Sequence, residues 1–244
     1  MYKQIMTKIT TGQKLTEEEI FSLIAAINRS QISDVQIAGF QVGLLMKGTS
    51  LDELSAFAKA MRANCVLLRP HVTAELMDTC GTGGGLSTFN ISTATALVAG
   101  IPVAKHGSRS ISSLSGSADV LEALGVNINL TPQQAERLIE DIGIAFIYAP
   151  LFHPVMCKVL PPETELGIKT IFYTIIGPLI NPAFAPRHLL GVYKPELLDT
   201  VTYVARELGY TNAMFVHGLD GLDEISLLGK TRINYLKNGT VRTF

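Results

Sequence analysis

The sequence predicts an α/β protein with two parts: a small all-helical N-terminal domain over residues 1–66, and an α/β domain with a largely parallel central sheet over residues 67–244. Three observations lead there. Three helix-capping boxes follow one another before residue 60. From about Leu67 short β-prone runs alternate with helical stretches. A glycine-rich run, Gly81-Thr-Gly-Gly-Gly85, stands between an apolar entry and a helix-forming exit, as at a strand-to-helix turn. With 244 residues, 47% of them hydrophobic and 17% charged, the chain can bury one large core or two modest ones.

The helical part is read from its caps. Thr16 pairs with Glu19, Ser33 with Gln36 and Ser50 with Glu53, each pair preceding apolar residues at helical spacing. The expected buried stripes are Ile20, Leu23, Ile24 and Ile27 on the first helix, Val35, Ala38, Val42 and Leu45 on the second, and Leu54, Phe57 and Met61 on the third. Lys47-Gly48 ends the second helix. No catalytic constellation occurs here, so packing, including packing between subunits, is the expected role.

In the second part Ile101 to Ala104, Ile144 to Ala149, Leu189 to Tyr193 and Ala213 to Val216 are the candidate strands. A helix opens at Thr131-Pro-Gln-Gln134, with a cap and a proline in its first position. Ile233 to Leu236 and Thr240 to Phe244, joined through Asn238-Gly239, read as a hairpin. The sequence stops inside its second strand, and a missing C-terminal part is expected. Ligands of such sheets gather at the carboxyl ends of the strands. Three polar loops are expected there: 81–90, 105–117 and 217–224.

Composition narrows the function. A net charge of −1 without a basic block argues against nucleic acid. Cys65, Cys80 and Cys157 are odd in number and widely spaced, which fits reduced cytoplasmic thiols better than a disulfide framework. Apolar stretches are interrupted well before the roughly 18 residues that span a bilayer, so no membrane segment is expected.

Each loop has a chemical and a bland reading. Glycine amides followed by a helix N-terminus and by Thr88, Asn90, Ser92 and Thr93 suit a phosphorylated ligand; otherwise the run is a tight turn. Lys105, His106 and Arg109 among the serines of 108–117 suit a multiply charged phosphate; otherwise this is a solvated serine-rich loop. Asp220, Asp223 and Glu224 suit Mg²⁺, with Asp223 and Glu224 the favoured pair; otherwise they make an acidic surface turn. His106, His153, His188 and His217 lack the spacing of a zinc site and are read as loop or packing residues. There is no Gly-x-Ser-x-Gly elbow and no complete phosphate-loop signature, which argues against hydrolase and nucleoside-triphosphatase chemistry.

Taken in order, Gly81-Thr-Gly-Gly84, Thr88-Phe-Asn-Ile-Ser-Thr93, Lys105-His-Gly107, Gly116 to Gly125, Gly177-Pro-Leu179 with Asn181-Pro182, and His217 to Glu224 resemble the anthranilate phosphoribosyltransferase family. The resemblance runs from near residue 10 to the end. It implies a helical plus α/β architecture, a homodimer joined through the helical parts, with helices from about 163–182 added to them, the substrates phosphoribosyl pyrophosphate (PRPP) and anthranilate, and Mg²⁺. By position it implies PRPP contacts from Gly81, Gly84, Gly85, Thr88, Asn90, Ile91, Ser92 and Thr93, and from Lys105, His106, Gly107, Ser108, Arg109, Ser110, Ile111, Ser112, Ser113 and Ser117. Ser92, Asp223 and Glu224 would serve the metal, and Gly81, Ser108 and Glu163 fall on the acceptor side. No covalent nucleophile is implied: positioning and electrostatics carry the reaction, assisted by Lys105.

Three departures accompany the resemblance. Gly85 stands where many members have Asp, in a loop one residue shorter; Ser108 replaces an Asn; and Glu163 replaces an Arg expected near the acceptor. The chain is also shorter than a complete member of the family. Two alternatives follow. One is a divergent paralogue with another acceptor, or a non-catalytic binder of phosphorylated ligands. The other is a nucleoside phosphorylase, which the retained Thr88 to Thr93 motif disfavours.

Overall fold

The computed structural model describes residues 1–83, 85–86, 88–110 and 115–244. Two compact units are present, one formed by Met1–Cys65 with His153–Ile180, the other by Val66–Phe152 with Asn181–Phe244. The chain therefore returns to the helical unit earlier than the expected position near 163.

The helical unit opens with α1 (Tyr2–Thr10), which no capping signal announces, followed by α2 (Glu17–Asn28), α3 (Asp34–Lys47) and α4 (Leu51–Ala63). The three capping boxes close as the sequence suggests, with Thr16, Ser33 and Ser50 each accepting from the amide three residues on. Ile20, Leu23, Ile24 and Ile27 on α2, and Leu54, Phe57 and Met61 on α4, are buried. On α3 the expectation is reversed. Ile37, Phe40, Gln41 and Leu44 face the core, whereas Val35, Val42 and Leu45 are 83%, 42% and 51% exposed. This helix carries two apolar stripes, and its core takes the one bearing the aromatic ring. Phe40 meets Phe57 and Phe172 with ring centroids 5.9 and 6.2 Å apart.

In the α/β unit, β1 (Met77–Gly81) leads to α5 (Ile91–Val98), and β2 (Val103–Gly107) to α6 (Ser117–Ala123) and α7 (Pro132–Ile142). Then come β3 (Ile144–Tyr148) and the short α8 (Ala149–Phe152). The excursion through the helical unit consists of α9 (Met156–Leu166), a π-helical turn at Phe172–Ile176 and α10 (Gly177–Leu179). The chain comes back as β4 (Arg187–Gly191), α11 (Leu198–Glu207), β5 (Asn212–Gly218) and the hairpin β6 (Thr231–Lys237) and β7 (Thr240–Thr243). Its turn has φ of 46° at Asn238 and 79° at Gly239, the pair of positive angles that an Asn-Gly hairpin turn requires.

The seven strands lie in the order β3-β2-β1-β4-β5-β6-β7, parallel from β3 through β5 and antiparallel beyond. Chain order runs outward in both directions from the β1/β4 pair, and the crevice past the carboxyl ends of these two strands is where such a sheet takes a ligand. Thr79 Oγ1 donates to the Ser92 carbonyl at 2.8 Å, so Thr79 faces α5 and, by alternation, Asp78 and Cys80 face the other way. Ala104, Ala135, Ile139, Ala145 and Ile147 form the core under α7. Among the described residues, no helix is long and apolar enough to cross a membrane.

Candidate functional site

The loop after β1, the end of β4 and the loop after β5 meet around Asp223, where three glycines face it. A Cβ on Gly85 would lie 2.7 Å from Asp223 Oδ1 and 2.9 Å from its Cγ; one on Gly81 would lie 3.4 Å from Oδ2; one on Gly191 would collide with the Asp223 carbonyl. Backbone from the first loop and from the end of β4 therefore closes on Asp223, and at Gly85 and Gly191 it can do so only because no Cβ is present. Thr82 closes the crevice by donating its amide to the Gly191 carbonyl at 2.9 Å and accepting the Tyr193 amide at 3.0 Å.

The first and second loops are stitched together. Asn90 Nδ2 donates to the Ser115 carbonyl at 3.1 Å, and Thr93 Oγ1 to Ser117 Oγ at 2.9 Å. Asp119, on the first turn of α6, accepts from the amides of Gly116 and Ser110 at 2.8 and 3.0 Å and pairs with Arg109 at 3.0 Å. The serine-rich segment is thus pinned at both ends. Asp78, 0% exposed, supports the same loop from beneath, its Oδ1 accepting the His106 amide at 3.0 Å.

In the third loop Asp220 is engaged by the turn itself, accepting from the Leu222 amide at 3.3 Å and from the Ser226 hydroxyl. Asp223 and Glu224 are left as half-buried neighbours. Burial lifts the Asp223 carboxyl above its usual range, and burial together with Asp223 lifts Glu224 to about 7. His217 Nδ1 sits 2.7 Å from the Val192 carbonyl and braces the end of β5.

Several expected site residues take other partners. Lys105 is 2% exposed and directs Nζ to the Thr79 carbonyl at 2.6 Å and to Ser92 Oγ at 3.4 Å. Its charge reaches Glu224 and burial lowers its pKa, so it holds the base of the site and not an exposed phosphate contact. Arg109 is drawn to Asp119 and to Glu122, the latter at 2.9 Å. Glu163 corrects the acceptor-side expectation. It is 3% exposed inside the helical unit, where it accepts from Gln41 Nε2 at 3.0 Å, the Thr170 amide at 3.3 Å and the Thr170 hydroxyl. With those donors around it, the carboxylate is a packing group of that unit. Ser108 is exposed beside His106 and Gly107 at the end of β2, and Gly81, Gly85, Thr88, Asn90, Ile91 and Ser92 lie along the first loop and the start of α5. Gly84, Ile111, Ser112 and Ser113 lie outside the described residues.

The supports were not legible beforehand. Asp78 is one acid in β1 and Asp119 one acid in a helix, and a long-range backbone contact leaves no mark on spacing. The preference of an N3 carboxylate for N-terminal amides is the one signal that could have singled out Asp119.

The pattern of the glycosyl transferase family matches this chain twice, as its a/b domain over residues 73–244 and as its helical bundle domain over residues 3–65. An anthranilate phosphoribosyltransferase of Acetivibrio thermocellus is 47% identical over 248 aligned positions, covering all of this chain and 71% of that protein. The crystal structure of the anthranilate phosphoribosyltransferase of Thermus thermophilus superposes with a TM-score of 0.87 at 40% identity, over 98% of this chain and 72% of the other. That of Saccharomyces cerevisiae in complex with PRPP and Mg superposes with a TM-score of 0.86 at 25% identity, over 100% of this chain and 72% of the other. Family patterns over both units and relatives of this identity settle the family: the chain belongs to the anthranilate phosphoribosyltransferases, transferases of the glycosyl transferase family.

Proposed function

We propose that the protein transfers the phosphoribosyl group of PRPP to anthranilate, giving N-(5-phosphoribosyl)anthranilate and pyrophosphate, in a Mg²⁺-dependent reaction. The observation that carries the reading is the closure of the first loop and the end of β4 on Asp223 at the switch point of the sheet. The amine nitrogen of the acceptor bonds to the anomeric carbon as the bond from that carbon to the pyrophosphate oxygen breaks. The electron pair leaves with pyrophosphate and the amine gives up a proton. No side-chain nucleophile is required.

The first loop from Gly81, with Thr88 and Asn90 to Thr93, holds the pyrophosphate and ribose phosphate against the N-terminus of α5. The 105–117 loop, fixed by Asp78 and Asp119, forms the opposite wall. Lys105 orients Ser92 and supplies positive potential from below. The residues fit Mg²⁺: Ser92, Asp223 and Glu224 offer hard oxygen donors, and burial of both acids, with Asp223 beside Glu224, penalises their charged forms unless a cation is present. A cation held by Ser92, Asp223 and Glu224 would supply the positive charge that lets pyrophosphate depart.

A homodimer joined through the helical units belongs to the same reading. Its support is the apolar stripe of α3, where Val35, Val42, Leu45 and Met46 are exposed. A cytoplasmic setting suits Cys65, Cys80 and Cys157, none of which is in a disulfide. The test is incubation with PRPP, Mg²⁺ and anthranilate, following anthranilate fluorescence and pyrophosphate release together. Loss of the one matched by release of the other is expected. Calorimetric binding of PRPP with neither change would remove anthranilate as the acceptor and leave the donor site standing.

A further inference from the structure

Beneath the site, on the face of β1 turned away from α5, lies a cluster that the phosphoribosyl chemistry does not use. Asp78 and His188 are register partners on β1 and β4, and Cys80 is the next residue on the same face of β1. A carboxylate oxygen of Asp78, the sulfur of Cys80 and a ring nitrogen of His188 all lie within 4.8 Å of one another, with Cys80 Sγ and His188 Nε2 3.2 Å apart. Asp78 is 0% exposed, and its Oδ2 has no hydrogen-bond partner among the described residues. A buried carboxylate oxygen left in that state is costly unless something binds it.

We propose that Asp78, Cys80 and His188 form a site for a thiophilic divalent cation of the zinc type, separate from the Asp223–Glu224 pair. The donor set decides the class. Thiolate and imidazole select Zn²⁺ or Co²⁺ over Mg²⁺, whereas the hard-oxygen group at Asp223 and Glu224 has the opposite preference. Ligand bonds of about 2.0 to 2.3 Å in a tetrahedron put donor atoms roughly 3.3 to 3.7 Å apart. The sulfur–nitrogen distance of 3.2 Å falls just short of that range, and the Asp78 oxygen, within 4.8 Å of both, has to close in to become the third donor. Three protein ligands leave the fourth position to water. Asp78 is shared, because its other oxygen fixes the His106 amide where the 105–117 loop begins. Cation binding therefore stiffens one wall of the site above.

Co²⁺ is the probe. Titration into the full chain is expected to give one equivalent with a thiolate-to-cobalt charge-transfer band in the near ultraviolet, with Zn²⁺ displacing it and millimolar Mg²⁺ failing to. Cys80→Ser should abolish the band. His188→Gln should weaken Zn²⁺ binding at least about tenfold, the lower end of what losing even an outer-shell partner of a metal site costs. The double variant Cys65→Ser, Cys157→Ser and, separately, Asp223→Asn should both retain the band. A band absent from the unmodified protein, or one that survives Cys80→Ser, overturns the proposal. A second measurement needs no variant: one equivalent of Zn²⁺, but not Mg²⁺, should slow alkylation of Cys80 as read by peptide mass. Unchanged labelling counts equally against it.

Discussion

Replacing Gly85 by alanine puts a methyl carbon 2.7 Å from Asp223 Oδ1 and 2.9 Å from its Cγ, about 0.7 Å inside the separation at which ordinary contact begins. The first loop or the carboxylate has to give way, and in either case Asp223 leaves the position it holds between Gly81 and Gly191. A charge-assisted contact is worth about 1.5 to 3 kcal/mol. Its loss corresponds to a roughly ten- to 150-fold weaker Mg²⁺-dependent binding of PRPP. Stability is a built-in control. Gly85 is exposed and has no left-handed backbone angle, so alanine adds no backbone strain there. The assay is calorimetric titration of PRPP with and without Mg²⁺, alongside thermal unfolding. An affinity within twofold of the unmodified protein would refute the argument that Gly85 is glycine in order to admit Asp223. So would an equal loss with and without Mg²⁺.

The pH response follows from Glu224. A carboxyl raised to about 7 is protonated below that pH, and a proton on it excludes the cation, so Mg²⁺ affinity should rise about tenfold per pH unit up to 7 and level off above. The same shift lowers folding stability as pH rises from the ordinary carboxylate range to about 7, because the folded form binds the proton more tightly. Glu224→Gln should flatten both profiles; a slope persisting in that variant assigns it elsewhere. Glu163 has its pKa raised by burial despite its donors, so Glu163→Gln should match or exceed the unmodified protein in thermal stability at pH 8. Glu163→Arg, which restores the residue expected from the family, should lose about 3 to 5 kcal/mol as a buried charge without a partner. A stable, active Glu163→Arg variant would show that this position faces the acceptor after all. Asp119→Ala removes the acceptor for the Gly116 and Ser110 amides and should cost about 1 kcal/mol in thermal unfolding while raising KM for PRPP. An unchanged KM would separate the 105–117 loop from the donor site.

Much of the architecture is written locally in this chain. The caps at Thr16, Ser33, Ser50 and Thr131 and the Asn238-Gly239 turn are short-range devices, each satisfied within four residues, and the structure shows all five. Parallel strands β2, β3, β4 and β5 were legible within a few residues, because strands buried on both faces carry apolar runs, whereas β1 was not among the candidates because Asp78 and Thr79 interrupt its apolar character. The stripe of α3 was misread for a reason that also limits what charged residues reveal. Val35, Val42 and Leu45 have the same periodicity as Ile37, Phe40 and Leu44, and nothing local says which stripe meets the core. Lys105 and Glu163 carry charges that suggest ligands, and only their surroundings show them bonded inside the protein.

By itself the sequence determined the two-part α/β plan, the three polar loops, and the carboxylates and hydroxyls suited to a magnesium-bound phosphate ligand, because residue type and spacing act over a few residues. Tertiary structure alone decided that Gly81, Gly85 and Gly191 close on Asp223, that Asp78 and Asp119 hold the second loop, and that Cys80 meets His188 across β1 and β4. These contacts join positions far apart along the chain, and the strand order that brings them together is fixed by burial over the whole sheet.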